Sequence, residues 1–155
     1  MSLAHKAIPL DLLKFKESLN LTKKAGKLYV LDPIRKKLIV MQPEEMVRQL
    51  MICYFIQETD FTRNSIQVEK TLRINDLSRR FDIVIYDKQV MPYLLIECKA
   101  YGVAISQSVF DQIAVYNMRL NAPFLLVSNG LATYCARMNH ETKAYEFLDV
   151  IPKGY

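Results

Sequence analysis

The sequence is short of the residues that mark several familiar classes of protein. Its three cysteines, Cys53, Cys98 and Cys135, are scattered and do not have the paired spacing of a zinc site. Its four glycines form no Gly-x-x-x-x-Gly-Lys phosphate-binding loop, which excludes an ATP-driven motor of that type within these residues. No run reaches the roughly 18 apolar residues of a membrane span, and the first residues lack the order of a secretory signal. We therefore expect a cytoplasmic protein that has no membrane partner.

What is present is the composition of an ordinary globular domain. The 155 residues are 51% hydrophobic and 24% charged, which is a typical balance for a folded chain of this length. We expect one domain over residues 1–155, with residues 1–26 as a peripheral amino-terminal segment. The formal net charge of +5 permits a polyanionic partner but does not by itself require one.

Helical and strand patterns alternate along the chain. Pro43 opens the clearest helix, whose apolar stripe continues to about Glu58, and a second helix is predicted from Ser106 to about Leu120. Residues 10–19 form at best a short helix, and residues 22–26 read as a loose turn. Strands are predicted at residues 27–31, 37–41, 66–74, 81–86, 93–98, 123–128, 131–138 and 144–148. This order predicts an α/β (α+β) fold in which a mixed sheet is flanked by helices.

The most informative stretch is residues 79–100, RRFDIVIYDKQVMPYLLIECKA. It reads as two apolar strands joined by a polar, proline-bearing connection at residues 87–92. Asp82 and Glu97 are equally far from the middle of that connection, so a hairpin places them opposite each other, with Cβ atoms roughly 5 Å apart. Because side chains alternate along a strand, Glu97 and Lys99 share a face and Cys98 points the other way.

Two carboxylates this close repel each other unless a positive charge lies between them. Oxygen ligands beside a lysine suit Mg²⁺, which binds one or two carboxylates together with waters and substrate phosphate. Two simpler interpretations are also compatible with these residues. Asp82 is explained equally well by a salt bridge to Arg79 or Arg80, and Glu97 with Lys99 by an ordinary charge pair at a sheet edge.

The Asp82…Glu97-x-Lys99 pattern resembles the PD-(D/E)xK nuclease superfamily, although Phe81 stands where the superfamily's name has proline. Three flanking stretches make the chain similar to the amino-terminal nuclease domain of type I restriction enzyme R subunits. They are EMVRQ at residues 45–49, QIAVYN at residues 112–117 and SNG at residues 128–130. The resemblance covers roughly residue 30 to the end, and it implies a restriction-endonuclease-like fold.

The resemblance also implies roles for individual residues. Asp82, Glu97, Lys99 and Glu45 are the expected catalytic residues. Mg²⁺ or Mn²⁺ is the expected cofactor, held by Asp82, Glu97, Glu45 and the backbone carbonyl of Cys98. Gln112, Tyr116 and Arg48 are expected to contact the substrate. Residue chemistry alone also permits simpler roles, in which Glu45 complements the helix dipole, Tyr116 is a core aromatic and Gln112 is a surface residue.

The sequence thus predicts a Mg²⁺-dependent, endonuclease-like phosphodiesterase that acts on DNA. Type I R subunits also carry an ATP-driven translocase, so a separate translocase or specificity partner is expected for this chain. A non-catalytic nucleic-acid-binding or assembly module that keeps the nuclease fold is the main alternative. An RNA nuclease is a third possibility, because it would use the same metal chemistry.

Overall fold

The chain forms a small sheet, a helix and then a larger sheet that is interrupted by a second helix. The computed structural model describes residues 3–155, except for the side chains of Ile74 and Leu77; Met1 and Ser2 of the predicted peripheral segment lie outside the described residues. The elements are β1 (Leu21–Lys24), β2 (Lys27–Asp32), β3 (Lys37–Val40), α1 (Pro43–Glu58), β4 (Ile66–Ile74), β5 (Leu77–Tyr86), β6 (Pro92–Cys98), α2 (Gln107–Leu120), β7 (Phe124–Ser128), β8 (Thr133–Asn139) and β9 (Ala144–Leu148), with 3₁₀ turns at Leu12–Ser18 and Arg63–Ser65.

The larger sheet has the order β4-β5-β6-β7-β8-β9. Four of its five neighbouring pairs are antiparallel, while β6 and β7 run parallel and are connected through α2. A parallel pair needs such a crossover, because its strands must start at the same edge of the sheet. This mixed sheet with flanking helices confirms the predicted fold class.

The two helices cover opposite faces of the larger sheet. Ile83 and Ile96 pack in the core under α1, whereas Val84 and Leu95 pack with Leu120 at the end of α2. Hydrophobic residues occupy both faces of β5 and β6 for this reason, and the two strands read as nearly continuous apolar runs. Within the described residues, no helix is both long enough and apolar enough to cross a membrane.

The register of the central hairpin puts the two key carboxylates at neighbouring positions. Ile83 pairs with Ile96 and Val84 with Leu95, so Asp82 and Glu97 are the next residues on their strands. The alternation of faces changes just before this point, because Phe81 packs in the same cluster as Val84. Across from Asp82, the β4 residue Glu69 has a positive φ of 58°, which marks a local distortion of the strand pair.

The structure corrects three local predictions. Residues 22–26 are not a loose turn, because β1 pairs antiparallel with β2 from Leu21 to Lys24. The apolar content of this strand is too low to show a period of two, so only the pairing with β2 reveals it. The strand predicted at residues 81–86 is longer, since β5 already begins at Leu77, and the short helix considered at residues 10–19 is a 3₁₀ helix at Leu12–Ser18.

Candidate functional site

Asp82 lies on β5 and is almost fully buried. Arg48 on α1 donates from Nη2 to Asp82 Oδ1 at 2.6 Å, and the backbone N–H of Cys98 donates to Oδ2 at 2.7 Å. The salt bridge considered from the sequence therefore exists, but its partner is neither Arg79 nor Arg80. Arg48 is 34 residues away along the chain, and only the packing of α1 on the sheet brings it here.

Arg48 is the centre of a buried group of charges. Its guanidinium also donates to Glu45, lies 2.9 Å from a carboxylate oxygen of Glu69, and is 3.5 Å from Glu44. Burial alone would lower the pKa of Arg48, but the hydrogen bond and charge of Asp82 raise it above its usual value. The predicted substrate-binding residue is thus enclosed by carboxylates, an arrangement that suits a structural role better than a contact with substrate.

Glu45 belongs to the same network and extends it to the small sheet. Its carboxylate accepts from Arg35 Nη2 at 2.5 Å and from Gln49 Nε2 at 2.9 Å, besides the bond from Arg48. Arg35 and Gln49 in turn donate to Asp32, at 2.6 and 2.9 Å. Burial would raise the pKa of Asp32, but these donors and two backbone N–H groups lower it. The role of Glu45 as a metal ligand stays a prediction.

Glu97 is in a different situation, because its buried carboxylate lacks a full set of partners. Oε1 makes no hydrogen bond in the part of the chain that the structure describes, and its nearest cation is Arg79 Nη2 at 3.5 Å. Burial, followed by the charge of Asp82, raises the pKa of Glu97 to about 7, although Arg79 and Lys99 act to lower it. The carboxylate of Glu97 is therefore harder to ionise than an exposed glutamate.

A shallow cavity of about 380 Å³ lies beside Glu97, on the α2 side of the sheet. The guanidinium of Arg79 lies between two aromatic rings, 4.9 Å from the centre of Phe81 and 4.6 Å from the centre of Tyr116. The cavity brings together Lys99, Gln112 and Tyr116, three of the residues that the sequence singles out; its other lining residues are Ser78, Arg79, Val109 and Ile113. Its walls therefore combine two cations, an amide and an aromatic ring.

The residues present are compatible with a hard divalent cation. Glu97 offers an Oε1 that accepts no hydrogen bond from the described residues, and Asp82, which faces α1, is close enough for its charge to raise the pKa of Glu97. Among the described residues, no three His, Cys, Asp or Glu side chains are grouped as a metal site. Mg²⁺ does not need a third protein ligand of this kind, because waters and a substrate phosphate complete its shell. An ion shared by both carboxylates would compete with Arg48 for Asp82.

Sequence reasoning missed several residues around this site. Glu44 is one of these residues, and it interacts electrostatically with Asp82. Burial, and then the charge of Asp82, raises the pKa of Glu44. Its spacing of four from Arg48 on α1 was a usable signal, since such residues stack on one helix face. Glu69 and the pairing of Arg35 with Glu45 had no local signal, because both depend on contacts between separate elements.

Two comparisons with known proteins bear on the family and the fold of this chain. The model of the family described as the type I restriction enzyme R protein N terminus matches residues 43–152, which is most of the chain. The fold is similar to a solved fragment assigned to an HsdR subunit of a type I restriction enzyme from Vibrio vulnificus YJ016, with a TM-score of 0.50 and 15% sequence identity.

That alignment covers 72% of this chain and 24% of the Vibrio chain, so the present sequence corresponds to about a quarter of that structure. A search of curated proteins gives no significant match. At 15% identity the solved structure supports the fold alone, whereas the family model covers the central hairpin and both helices. The chain belongs to the family of the type I restriction enzyme R protein N terminus.

Proposed function

We propose that this domain hydrolyses phosphodiester bonds in DNA with the help of Mg²⁺ or Mn²⁺. The observation that carries the proposal is the buried Glu97 carboxylate, whose Oε1 accepts no hydrogen bond from the described residues and lies 3.5 Å from Arg79 Nη2. A buried carboxylate without a close partner is costly to ionise, so it either keeps a proton or binds a cation. A divalent cation is the ligand that two neighbouring carboxylates would select.

In this proposal Glu97 and Asp82 hold the ion. When bound, the ion would supply an acidified water and neutralise charge on the scissile phosphate. The amide of Cys98 and the guanidinium of Arg48 fix the orientation of the Asp82 carboxylate. Glu45 acts through Arg48 and is therefore a positioning residue, while the carbonyl of Cys98 remains the predicted further ligand.

The α2 side of the site is suited to the substrate. Lys99 lines the cavity next to Glu97, where its ammonium can pair with a phosphate oxygen or hold the attacking water. Gln112 offers an amide from the same cavity, and Tyr116 keeps Arg79 in place by stacking on its guanidinium. These contacts are to the backbone of the substrate, so we propose cleavage with little sequence preference.

Cleavage assays on supercoiled and linear DNA test the proposal. With Mg²⁺ or Mn²⁺, the wild type is expected to nick or linearise DNA, and Asp82→Asn, Glu97→Gln and Lys99→Gln are each expected to lose most of this activity. Glu146→Gln is the control, because it removes a carboxylate that is 68% exposed on β9. A parallel assay on RNA of the same sequence decides whether the substrate is DNA or RNA. Activity that survives in both Asp82→Asn and Glu97→Gln would contradict the proposed site.

A non-catalytic nucleic-acid-binding or assembly module is the second candidate, and one observation favours it. Arg48 already satisfies Asp82 Oδ1 at 2.6 Å, as it would in a fold that has no use for a metal. Binding of Mn²⁺ separates the two candidates, because a non-catalytic scaffold has no reason to hold it. If the wild-type protein neither cuts DNA nor binds Mn²⁺, the non-catalytic module is the better interpretation.

DNA translocation would have to come from elsewhere. The sequence contains no Gly-x-x-x-x-Gly-Lys loop, so we propose that a translocase segment or subunit delivers DNA to this domain, with or without a separate specificity subunit. The three cysteines are free and buried, which fits the cytoplasm as the compartment in which it would work.

A further inference from the structure

The positive charge of the chain is concentrated in the small sheet. Residues 20–42 contain six lysines and arginines against the single acidic residue Asp32, a net charge of +5 that equals the formal net charge of the whole protein. Asp32 is fully buried and bonded to Arg35, so the exposed surface of this sheet carries lysine without exposed acid. This segment also lies outside residues 43–152, the part that the family model matches.

Five lysines make up the surface charge, and none of them forms an ion pair with any residue that the structure describes. All five are exposed: Lys23, Lys24, Lys27, Lys36 and Lys37. Lys24 pairs directly with Lys27 across the β1–β2 ladder. Like charges in that position repel and weaken the hairpin. Lys36 adopts a positive φ of 57°, where asparagine or glycine would be less strained. No acidic side chain among the described residues pairs with these lysines, so their charge is available to an external anion.

The lysines form two groups at opposite ends of β2. Lys23, Lys24 and Lys27 surround the β1–β2 turn, while Lys36 and Lys37 follow the β2–β3 turn. Side chains alternate along a strand, so Lys24 and Lys27 point to one face of the sheet, while Lys23, opposite Leu28, and Lys37, opposite Asp32, point to the other. A strand rises about 3.3 Å per residue, so the four steps from Leu28 to Asp32 separate Lys23 from Lys37 by about 13 Å. That separation is enough to reach the two phosphate backbones on either side of a major groove about 12 Å wide.

The second group is fixed with respect to the candidate site. Arg35 precedes Lys36 and is bonded to Asp32 and to Glu45 on α1. Glu45 is bonded to Arg48, which in turn holds Asp82. Three consecutive ion pairs, Arg35–Glu45, Glu45–Arg48 and Arg48–Asp82, therefore connect the β2–β3 turn to the central hairpin. A polyanion bound along this turn lies beside the α1 end of the site.

We propose that the sheet β1–β3 is a separate binding surface for the phosphodiester backbone of a nucleic acid duplex. The lysines at the two turns would contact phosphates without reading sequence, and the Arg35–Glu45 contact would hold the duplex next to Asp82. The exposed apolar residues of this sheet would also suit an anionic membrane, but each is less than half exposed: Leu21, Leu28, Leu31, Leu38 and Val40 are 37–47% exposed. Phosphates at fixed points on a rigid sheet are the better match.

This inference shares with the proposed function only the premise that nucleic acid is the partner. Binding at β1–β3 needs neither the metal nor Glu97, so it is measured in EDTA, where no cleavage occurs. Loss of binding in the lysine variants with retained Mn²⁺ affinity would isolate this surface. Retained binding with no Mn²⁺ affinity would instead contradict the proposed cleavage site.

The test is fluorescence anisotropy of the whole domain with a labelled 20-base-pair DNA duplex and with an RNA duplex of the same sequence. Lys23→Gln/Lys24→Gln/Lys27→Gln is compared with Lys88→Gln/Lys143→Gln/Lys153→Gln, which removes the same charge from three exposed lysines in other parts of the surface. Circular dichroism confirms that both triple variants are folded. The affinity is measured across a series of salt concentrations.

We expect the β1–β2 triple variant to bind duplex at least tenfold more weakly than wild type at 100 mM salt. Each lost phosphate contact removes about 0.9 from the slope of log K against log salt, so the slope should fall by up to about 2.7. The control triple should shift affinity less than threefold with its slope unchanged. Equal losses in both triples would overturn the proposal, as would loss of binding to phosphatidylserine vesicles with unchanged duplex binding.

Discussion

The two sides of the candidate site differ in how many hydrogen bonds their buried carboxylates accept. On the α1 side, Asp82 and Glu45 each accept at least two hydrogen bonds, and Arg48 ties them together. On the α2 side, Glu97 is equally buried, yet its Oε1 has only a distant guanidinium at 3.5 Å. The first arrangement fixes the orientation of its carboxylates, while the second leaves a buried carboxylate oxygen without a hydrogen bond among the described residues. We infer that α1 positions the site and that the α2 side is where chemistry would take place.

The largest effect is expected from breaking the α1 side. Arg48→Met leaves Glu45 and Asp82 buried without their shared cation, and removing one partner of a buried pair typically costs about 3–5 kcal/mol. Urea denaturation measures this loss in the free energy of unfolding. Glu44→Gln is the control, because its carboxylate is 52% exposed and contacts Arg48 only at 3.5 Å. A loss below about 1 kcal/mol for Arg48→Met would show that the network is not structural.

On the α2 side, replacing the carboxylate of Glu97 should increase the free energy of unfolding, and the size of the increase should depend on pH. The pKa of Glu97 is about 7 in the folded protein against an ordinary value of 4.5. Between these values the folded state keeps a proton that the unfolded chain has lost, so the free energy of unfolding falls as pH rises. Glu97→Gln removes this dependence and should be more stable than wild type at pH 8 by up to about 3 kcal/mol in EDTA.

Urea titrations of both proteins at pH 4.5 and pH 8 measure that difference. At pH 4.5 the gap between wild type and Glu97→Gln should be much smaller, since the folded wild type is then protonated at Glu97 and the unfolded chain is half protonated. A Glu97→Gln variant that is less stable than wild type at pH 8 would show that a partner already compensates the charge of Glu97.

A smaller effect is expected from the stacking that holds Arg79. Tyr116→Leu removes one of the two rings that flank the guanidinium and should destabilise the domain by about 1 kcal/mol, the usual size of a half-exposed cation–π contact. Tyr116→Phe keeps the ring and should match wild type in urea denaturation. If both variants lose the same stability, the tyrosine hydroxyl would carry the effect and the stacking would not.

The smallest change in stability is expected at Gln112, which is exposed on α2 and lines the cavity. Gln112→Ala should alter the free energy of unfolding by less than about 0.5 kcal/mol, as is usual for exposed positions. It should nevertheless slow DNA cleavage several-fold. Gln89→Ala in the exposed β5–β6 turn serves as the control. Equal cleavage by the two variants would remove Gln112 from the substrate contacts.

The sequence predicts the parts of the molecule that depend on local order. The symmetry of residues 79–100 puts Asp82 level with Glu97, and the observed pairing of Ile83 with Ile96 agrees with it. Helix α2 lies within one residue of its predicted start, because Ser106 caps it by accepting from the N–H of Val109. These features need only neighbours along the chain.

The ion-pair partners of the charged residues cannot be predicted from neighbours along the chain. Asp82 pairs with Arg48 across 34 residues, whereas the sequence offered the adjacent Arg79 and Arg80. Arg79 instead faces Glu97, and Arg80 faces Glu69 at 3.3 Å. Which arginine reaches which carboxylate depends on how α1 packs on the sheet and on the distortion at Glu69, and neither leaves a periodic signal.

The most direct test of the difference between the two sides is calorimetric titration of the wild type and of Glu97→Gln with Mn²⁺. We expect one saturable site per chain in the wild type and no detectable binding by the variant, while the control Glu146→Gln binds like wild type. Equal binding by wild type and Glu97→Gln would contradict the assignment of Glu97 as the carboxylate that awaits a cation.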